Sequence, residues 1–344
     1  MKLADCQALD TLPYFQRDGE GKLILAEGVA ERIIDSHAHV GLNYLFARPV
    51  DQDREDEEPL TFFPARGNPV DMDVYSAVCF TKENERIAQR ETVKQAYTTR
   101  GFAATHTAKN LVNEMKRMRV ENAVILAVDF PLGALSRTSR HFLAAARKYP
   151  QLIPFISVHA YDLFMERKVR ALAAAGGKGM KIHPPMQLVR ANNRRVMKLL
   201  KLCGELKLPC LFHTGASDIA PKFQQDLPAI KHFWEPVERF PEVTFIFGHA
   251  GIHYYKEAIE LTKKHPNVYL ETSGQPPARI REMIDAGIPD RVLFGSDWPY
   301  YMVALPLAKV LLATEGLPDV RHKILYGNAR GLLDRYGIAA GGPG

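Results

Sequence analysis

The 344-residue chain has only four cysteines, and no pair of them has the spacing of a zinc or redox motif. Cys6, Cys79, Cys203 and Cys210 are therefore read as reduced thiols, with Cys203 and Cys210 as core residues. No run approaches the ~18 apolar residues needed to span a bilayer, so no membrane partner is expected. The opening "MKLADCQALD" lacks the apolar stretch of a signal peptide, which makes the cytoplasm the expected compartment. No basic run is interleaved with aromatics, and the formal charge of +6 is modest for this length. Nucleic acid is excluded as an expected partner on that ground. Glycine-rich phosphate motifs, G-x-G-x-x-G and the P-loop, are missing too, which argues against a dinucleotide-binding open sheet.

What is present is a repeat of short apolar runs. They are "RIIDSHAHV" (32–40), "NAVILAV" (122–128), "LIPFISVHA" (152–160), "GMKIHP" (179–184), "LPCLFHTG" (208–215), "VTFIFGHAG" (243–251), "NVYLETSG" (267–274) and "RVLFGSDWP" (291–299). From the second onward they begin roughly 25 to 35 residues apart, the length of one strand plus one helix. Helical patterns fill the gaps. Val196, Leu199, Leu200 and Cys203 fall at i, i+3, i+4 and i+7. "HFLAAARKYP", "KEAIELTKKHP" and "PARIREMIDAG" behave likewise. Strands that are apolar along most of their length suit a parallel sheet buried on both faces. Eight such units predict an α/β fold of (β/α)8 TIM-barrel type over residues 32–336.

Two regions break the repeat. Residues 1–31 form an N-terminal extension, in which "YFQRDGEGKLIL" predicts a hairpin about an Asp-Gly-containing turn. Residues 41–110 are an insertion after strand one, expected over the barrel mouth. Its acidic run, "DQDREDEE", reads as a solvated, partly disordered loop tip. Residues 337–344 read as a flexible tail.

The strand ends carry the chemistry. His37 and His39 close the first run, His159 the third, Lys181 and His183 the fourth, His213 the fifth, His249 the sixth and Asp297 the eighth. Residues i and i+2 of a strand share a face, so His37 and His39 can point the same way. In a TIM barrel these ends meet at one mouth. Nitrogen and oxygen donors at an open site suit Zn²⁺, with Mn²⁺ or Fe²⁺ as alternatives.

The segments "DSHAHVG", "GGKGMKIHPPMQ", "PCLFHTG", "FIFGHAG", "NVYLETSG", "VLFGSDWP" and "KILYGNARGLL" resemble the amidohydrolase superfamily. The similarity is to its amidohydrolase-2 branch of metal-dependent hydrolases and non-oxidative decarboxylases, and it runs from about residue 33 to 335. The resemblance implies His37, His39, His213 and Asp297 as metal ligands. It also implies Asp297 as the group that exchanges a proton with water, and His249 as a second catalytic residue or a ligand to a second ion. Lys181 stands where binuclear members carry a carboxylated, metal-bridging lysine, so one or two ions are allowed.

His183, Trp298 and Arg48 are candidate substrate contacts, with Tyr300 beside Trp298 on the mouth loop. Arg66, Arg140 and Arg190 also fall in mouth-side or insertion segments, which suits a carboxylate-bearing substrate. Asp35 and His159 are read as structural, Glu271 as not touching the metal, His232 and His265 as surface histidines, and Asn328 as a helix cap. The expected function is hydrolysis of a small amide, ester or lactone. Decarboxylation of an aromatic or unsaturated acid is the second reading, and a non-catalytic binding barrel the third. A small molecule is the expected partner, and a homo-oligomer is left open.

Overall fold

A computed structural model describes residues 1–41, 48, 50–63, 65–76, 82–131, 137–216 and 220–339. Each of the eight apolar runs contains a strand: β1 (Ile33–Ala38), β2 (Val120–Leu126), β3 (Leu152–Ile156), β4 (Gly179–Ile182), β5 (Cys210–His213), β6 (Phe245–Gly248), β7 (Val268–Glu271) and β8 (Val292–Leu293). They form one eight-stranded parallel sheet in sequential order. The last strand returns to the first. Ser36 N donates to Phe294 O at 2.9 Å, Asp297 N to His37 O at 2.7 Å and His39 N to Trp298 O at 2.7 Å. The chain is thus a TIM barrel.

The amphipathic stripe behaves as its spacing requires. Helix Arg194–Glu205 buries Val196, Leu199, Leu200 and Cys203, and its entry is capped by the Asn193 side chain, which accepts from Arg195 N. Helices Thr138–Lys148, Tyr255–Lys264 and Pro277–Asp285 occupy the other predicted gaps. Most buried apolar residues form one cluster around the strands. A second cluster joins Leu126, Phe155, Leu211 and Ile246 of the strands to Leu332 and Leu333 of helix Asn328–Arg335. That helix plugs the end of the barrel away from the strand C-termini, leaving the other end for chemistry.

The extension forms the expected hairpin: Phe15–Arg17 pairs antiparallel with Leu23–Leu25. Asp18 closes its turn by accepting from the backbone N–H of Glu20 and Lys22. Residues Lys2–Leu3 also pair with Val70–Asp71, tying the extension to the insertion.

Three expectations need correction. The acidic run is held in place: Asp53 meets Lys148 and Tyr149, Asp56 accepts from Asn110, and Glu57 and Glu58 pair with Lys22 and Arg66. Net negative charge in the segment is met by cations on three neighbouring segments. The tail begins in the core, since Ile338 is buried and its carbonyl accepts from Arg330 at 2.6 Å; residues 340–344 lie outside the described residues. Asn328 does not cap. The helical path runs unbroken from Lys323 through Asn328, so no free N–H group awaits it. Its amide donates instead to Pro289 O and Val292 O. Cys79 lies outside the described residues, and Cys6, Cys203 and Cys210 are buried free thiols. No helix among the described residues is long and apolar enough to cross a membrane.

Candidate active site

The pairing of β1 with β2 shifts register between Asp35 and Ala38. Irregularities of this kind re-aim side chains at barrel rims. Asp35 keeps the same sequence parity as His37 and His39 but serves the backbone instead. Its carboxylate accepts from His37 N, Ser296 N and Ser296 Oγ, at 3.0, 2.9 and 2.5 Å. It thereby fastens the first strand to the loop that carries Asp297.

His37 and His39 are each held by their inner nitrogen. His37 Nδ1 lies 2.6 Å from Glu271 Oε2, and His39 Nδ1 lies 2.8 Å from Leu126 O. An acceptor at Nδ1 places the proton there and leaves the Nε2 lone pair free. Both Nε2 atoms lie 3.5 Å from Asp297 Oδ1. These three donor atoms fall within 4.8 Å of one another. Burial, aided by the nearby Lys181 charge, pushes His37 well below its usual 6.5, so the ring is neutral as a ligand must be. Two imidazoles presenting Nε2, with a carboxylate, fit a divalent ion with an open position.

Glu271, His37 and His249 also sit within 4.8 Å of one another. Glu271 is nevertheless a poor ligand, because its oxygens are already taken. Besides His37, they accept from Ser273 N, from Ser273 Oγ at 2.8 Å and from His249 N at 3.1 Å. Burial raises this carboxyl to about 8, and the converging donors oppose the rise. Glu271 is the anchor behind His37.

Ser273 extends the chain of bonds, and sequence reasoning missed it. Its hydroxyl donates to Glu271, so it accepts from His249 Nδ1 at 2.8 Å. His249 Nε2 is then bare and accepts from His213 Nδ1 at 3.1 Å. That leaves the Nε2 lone pair of His213 unassigned. His183 stacks on the His213 ring at 4.3 Å, and its Nδ1 accepts from Met186 N. Burial pushes His183 and His213 well below 6.5 and His249 to about 3. Lys181 is fully buried, 3.3 Å from His37 Nε2, and burial lowers it to about 7.

The backbone here is unusual. Asp297 has φ +55°, and His249, Ala250, Gly251 and Ile252 have φ of +62°, +46°, +81° and +50°. Non-glycine residues rarely take positive φ, and runs of them concentrate at functional sites. Gln275 holds the second segment, donating to His249 O and Ile252 O.

These groups line a cavity of about 190 Å³. His37, His39, Lys181, His183, His213, His249 and Asp297 all reach it. The insertion supplies part of its wall through Phe63, Tyr75, Ser76 and Thr92, and the mouth loop adds Tyr300 and Tyr301. Trp298 is not there. It is fully buried and packs edge-on to His106, and its carbonyl is spent on His39 N. Tyr300 and Tyr301 take the position expected of it. Arg48 is exposed and is not among the described residues lining this cavity. Arg66 pairs with Glu58 and Arg190 with Asp226, and neither is among the described residues lining this cavity. His159 is structural: it is buried, with Nε2 2.8 Å from Gln187 O. His232 is buried against Asp226 rather than on the surface.

Lys309, unremarked in the sequence, fastens the insertion to the barrel. It is buried in helix Ala304–Ala313 and donates to Gly274 O at 2.9 Å and Val74 O at 3.2 Å. Gly274 O also accepts from Ser76 N, and Tyr301 donates to Ser76 Oγ. At φ +76°, Gly274 leaves room for the Tyr75 ring, which a Cβ would meet at 2.8 Å. Burial pulls Lys309 from its ordinary 10.5 to about 7. Between those values the unfolded chain holds a proton that the folded chain has released, so this group makes stability rise with pH across that window. Lys309→Met is expected to flatten that rise in melting temperature. It should also raise KM more than it lowers kcat, because residues 74–76 lose a tether while His37, His39 and Asp297 keep theirs. A pH series of thermal melts and steady-state kinetics check both.

The amidohydrolase family model matches residues 34–335. A curated relative, protein fluG of Emericella nidulans, is 25% identical over 191 residues, which are 49% of this chain and 22% of that protein. The chain thus spans about a fifth of that relative's length. Among solved structures, an uncharacterised TIM-barrel protein from Bordetella bronchiseptica is 20% identical with a TM-score of 0.61, covering 89% of this chain and 99% of its own. A 5-carboxyvanillate decarboxylase from Novosphingobium aromaticivorans, complexed with manganese and 4-hydroxy-3-methoxy-5-nitrobenzoic acid, is 13% identical with a TM-score of 0.59, covering 90% and 97%. A probable 2-pyrone-4,6-dicarboxylic acid hydrolase from Acinetobacter baumannii, with citric acid bound, is 15% identical with a TM-score of 0.54, covering 89% and 99%. These likenesses carry the fold. The family match spans every strand end described above, from His37 to Asp297, and by it the chain is an enzyme of the amidohydrolase family.

Proposed function

We propose that the chain hydrolyses a small, flat carbonyl compound, an ester, amide or lactone, with a divalent metal as cofactor. The carrying observation is the convergence of His37 Nε2, His39 Nε2 and Asp297 Oδ1 at the floor of a cavity walled by aromatic rings. His213 completes the proposed ligand set through its unassigned Nε2. Zn²⁺ suits this donor set, and Mn²⁺ or Fe²⁺ are the alternatives. When bound, the ion supplies Lewis acidity, polarising a carbonyl and acidifying water. Asp297 accepts the proton of the attacking water and later returns it to the leaving group. His249, neutral and oriented by Ser273, holds the His213 ring through its Nε2 lone pair. Phe63, Tyr75, Tyr300 and Tyr301 hold a flat body, and the insertion, in this reading, covers the mouth and excludes water. Lys181 is the only Lys or Arg among the described cavity-lining residues, so at most one substrate carboxylate finds a cationic partner there. The buried free thiols fit the expected cytoplasmic location.

Decarboxylation is the second reading. The aromatic walls support it, as does the likeness to the Novosphingobium decarboxylase. One experiment separates the two. Metal-replete protein is given aryl esters and lactones, and separately hydroxylated benzoic acids, while acid and carbon dioxide release are followed. Acid release without carbon dioxide supports hydrolysis, and carbon dioxide release with no ester or lactone turnover overturns it.

A further inference from the structure

Arg140, expected at the mouth, lines a different and larger cavity of about 550 Å³ between helices Thr138–Lys148 and Met165–Ala174. Arg140, Leu143 and Arg147 follow at i, i+3 and i+7, so they share one helix face. Arg137 joins them from the residue before the helix. The side chains of Arg137 and Arg140 make no ion pair among the described residues, and that of Arg147 reaches only Ala175 O, at 3.3 Å. Lys168, also on the wall, is neutralised by Asp162. The remaining acid, Asp129, is turned to the backbone, where Phe130 N donates to it at 3.2 Å and His159 N at 3.4 Å. Among the described residues, three guanidinium groups and one carboxylate therefore line this cavity, an excess of about two positive charges. The floor between them is apolar, made by Leu143, Val158 and Leu172.

We propose that this cavity is a second ligand site, which takes a small dianion carrying an apolar body. Guanidinium groups bind phosphate and carboxylate through paired charge-assisted bonds, while the floor takes the hydrocarbon part. The site is one wall away from the catalytic cavity. Asp129 lines this cavity, and its neighbour Val128 lines the other. Ser157, on the same wall, donates through Oγ to Lys181 O at 3.0 Å.

The test is a calorimetric titration of metal-replete protein with phenyl phosphate, alongside inorganic phosphate and phenol. Saturable binding of phenyl phosphate is expected, tighter than that of either fragment. It should weaken at least ~10-fold in Arg140→Ala/Arg147→Ala, the loss of two charge-assisted contacts. Both side chains are exposed, so the fold should survive, and Arg140→Lys/Arg147→Lys should recover part of the affinity. His39→Ala should leave this binding unchanged. Loss in His39→Ala with retention in the double alanine variant would place the ligand at the catalytic cavity and overturn the proposal. Equal affinity for inorganic and phenyl phosphate would mean an adventitious ion only, and would overturn it as well.

Discussion

Asp297→Asn is expected to fold, to keep much of its metal and to lose at least ~100-fold in kcat, the low end for removing a positioned general base. The fold should survive because the backbone at 297 is held by neighbours rather than by the carboxylate. Asp297 N donates to His37 O, and Tyr300 N donates to Asp297 O. Asparagine is also among the few residues that tolerate φ +55°. It retains one oxygen toward the point that His37 and His39 address. It cannot take a proton from water there. Circular dichroism, metal analysis and single-turnover kinetics together test the claim. A metal-replete Asn variant with near-normal kcat would remove Asp297 from the proton transfer and move that role to His249.

The strands and the histidines at their ends were legible because both are local signals. A buried parallel strand is an apolar run, and an imidazole at its end stays on the mouth wherever the helices pack. Tertiary partners were not legible. Glu271 looked remote because the sequence gives no sign that its carboxylate would collect His37, His249 N and Ser273. Ser273 looked like loop filler, yet it orients His249. Trp298 has the residue type of a substrate platform but points into the core, because the turn at Asp297 delivers the next two tyrosines to the cavity instead. Lys309 lies within an apolar helix, where only the long-range partners Val74 and Gly274 explain a cation. Arg66 and Arg190 were expected at the mouth for the same reason: charge and chain position do not say that Glu58 and Asp226 pair with them.

His37→Ala is expected to cost more metal than any change behind the ligands. The ring touches both halves of the site, with Nδ1 on Glu271 and Nε2 facing Asp297 and Lys181. Its loss removes a donor atom and also takes from the buried Glu271 carboxylate one of the N–H groups it receives, leaving it Ser273 and His249 N as donors. Glu271→Gln makes the narrower lesion: the ring stays, but the acceptor that fixes its tautomer is weakened. Changes of that outer kind typically cost 10–100-fold in metal affinity or activity. His37→Ala should therefore weaken metal binding by more than ~100-fold, and Glu271→Gln by less. Competition against a chelator of known affinity measures both, with thermal melts reporting whether each barrel remains folded. If the Glu271→Gln loss equals or exceeds that of His37→Ala in folded protein, then Glu271 is itself a ligand and the metal sits on the Glu271 side of His37. The three-atom site at Asp297 would then be the wrong one.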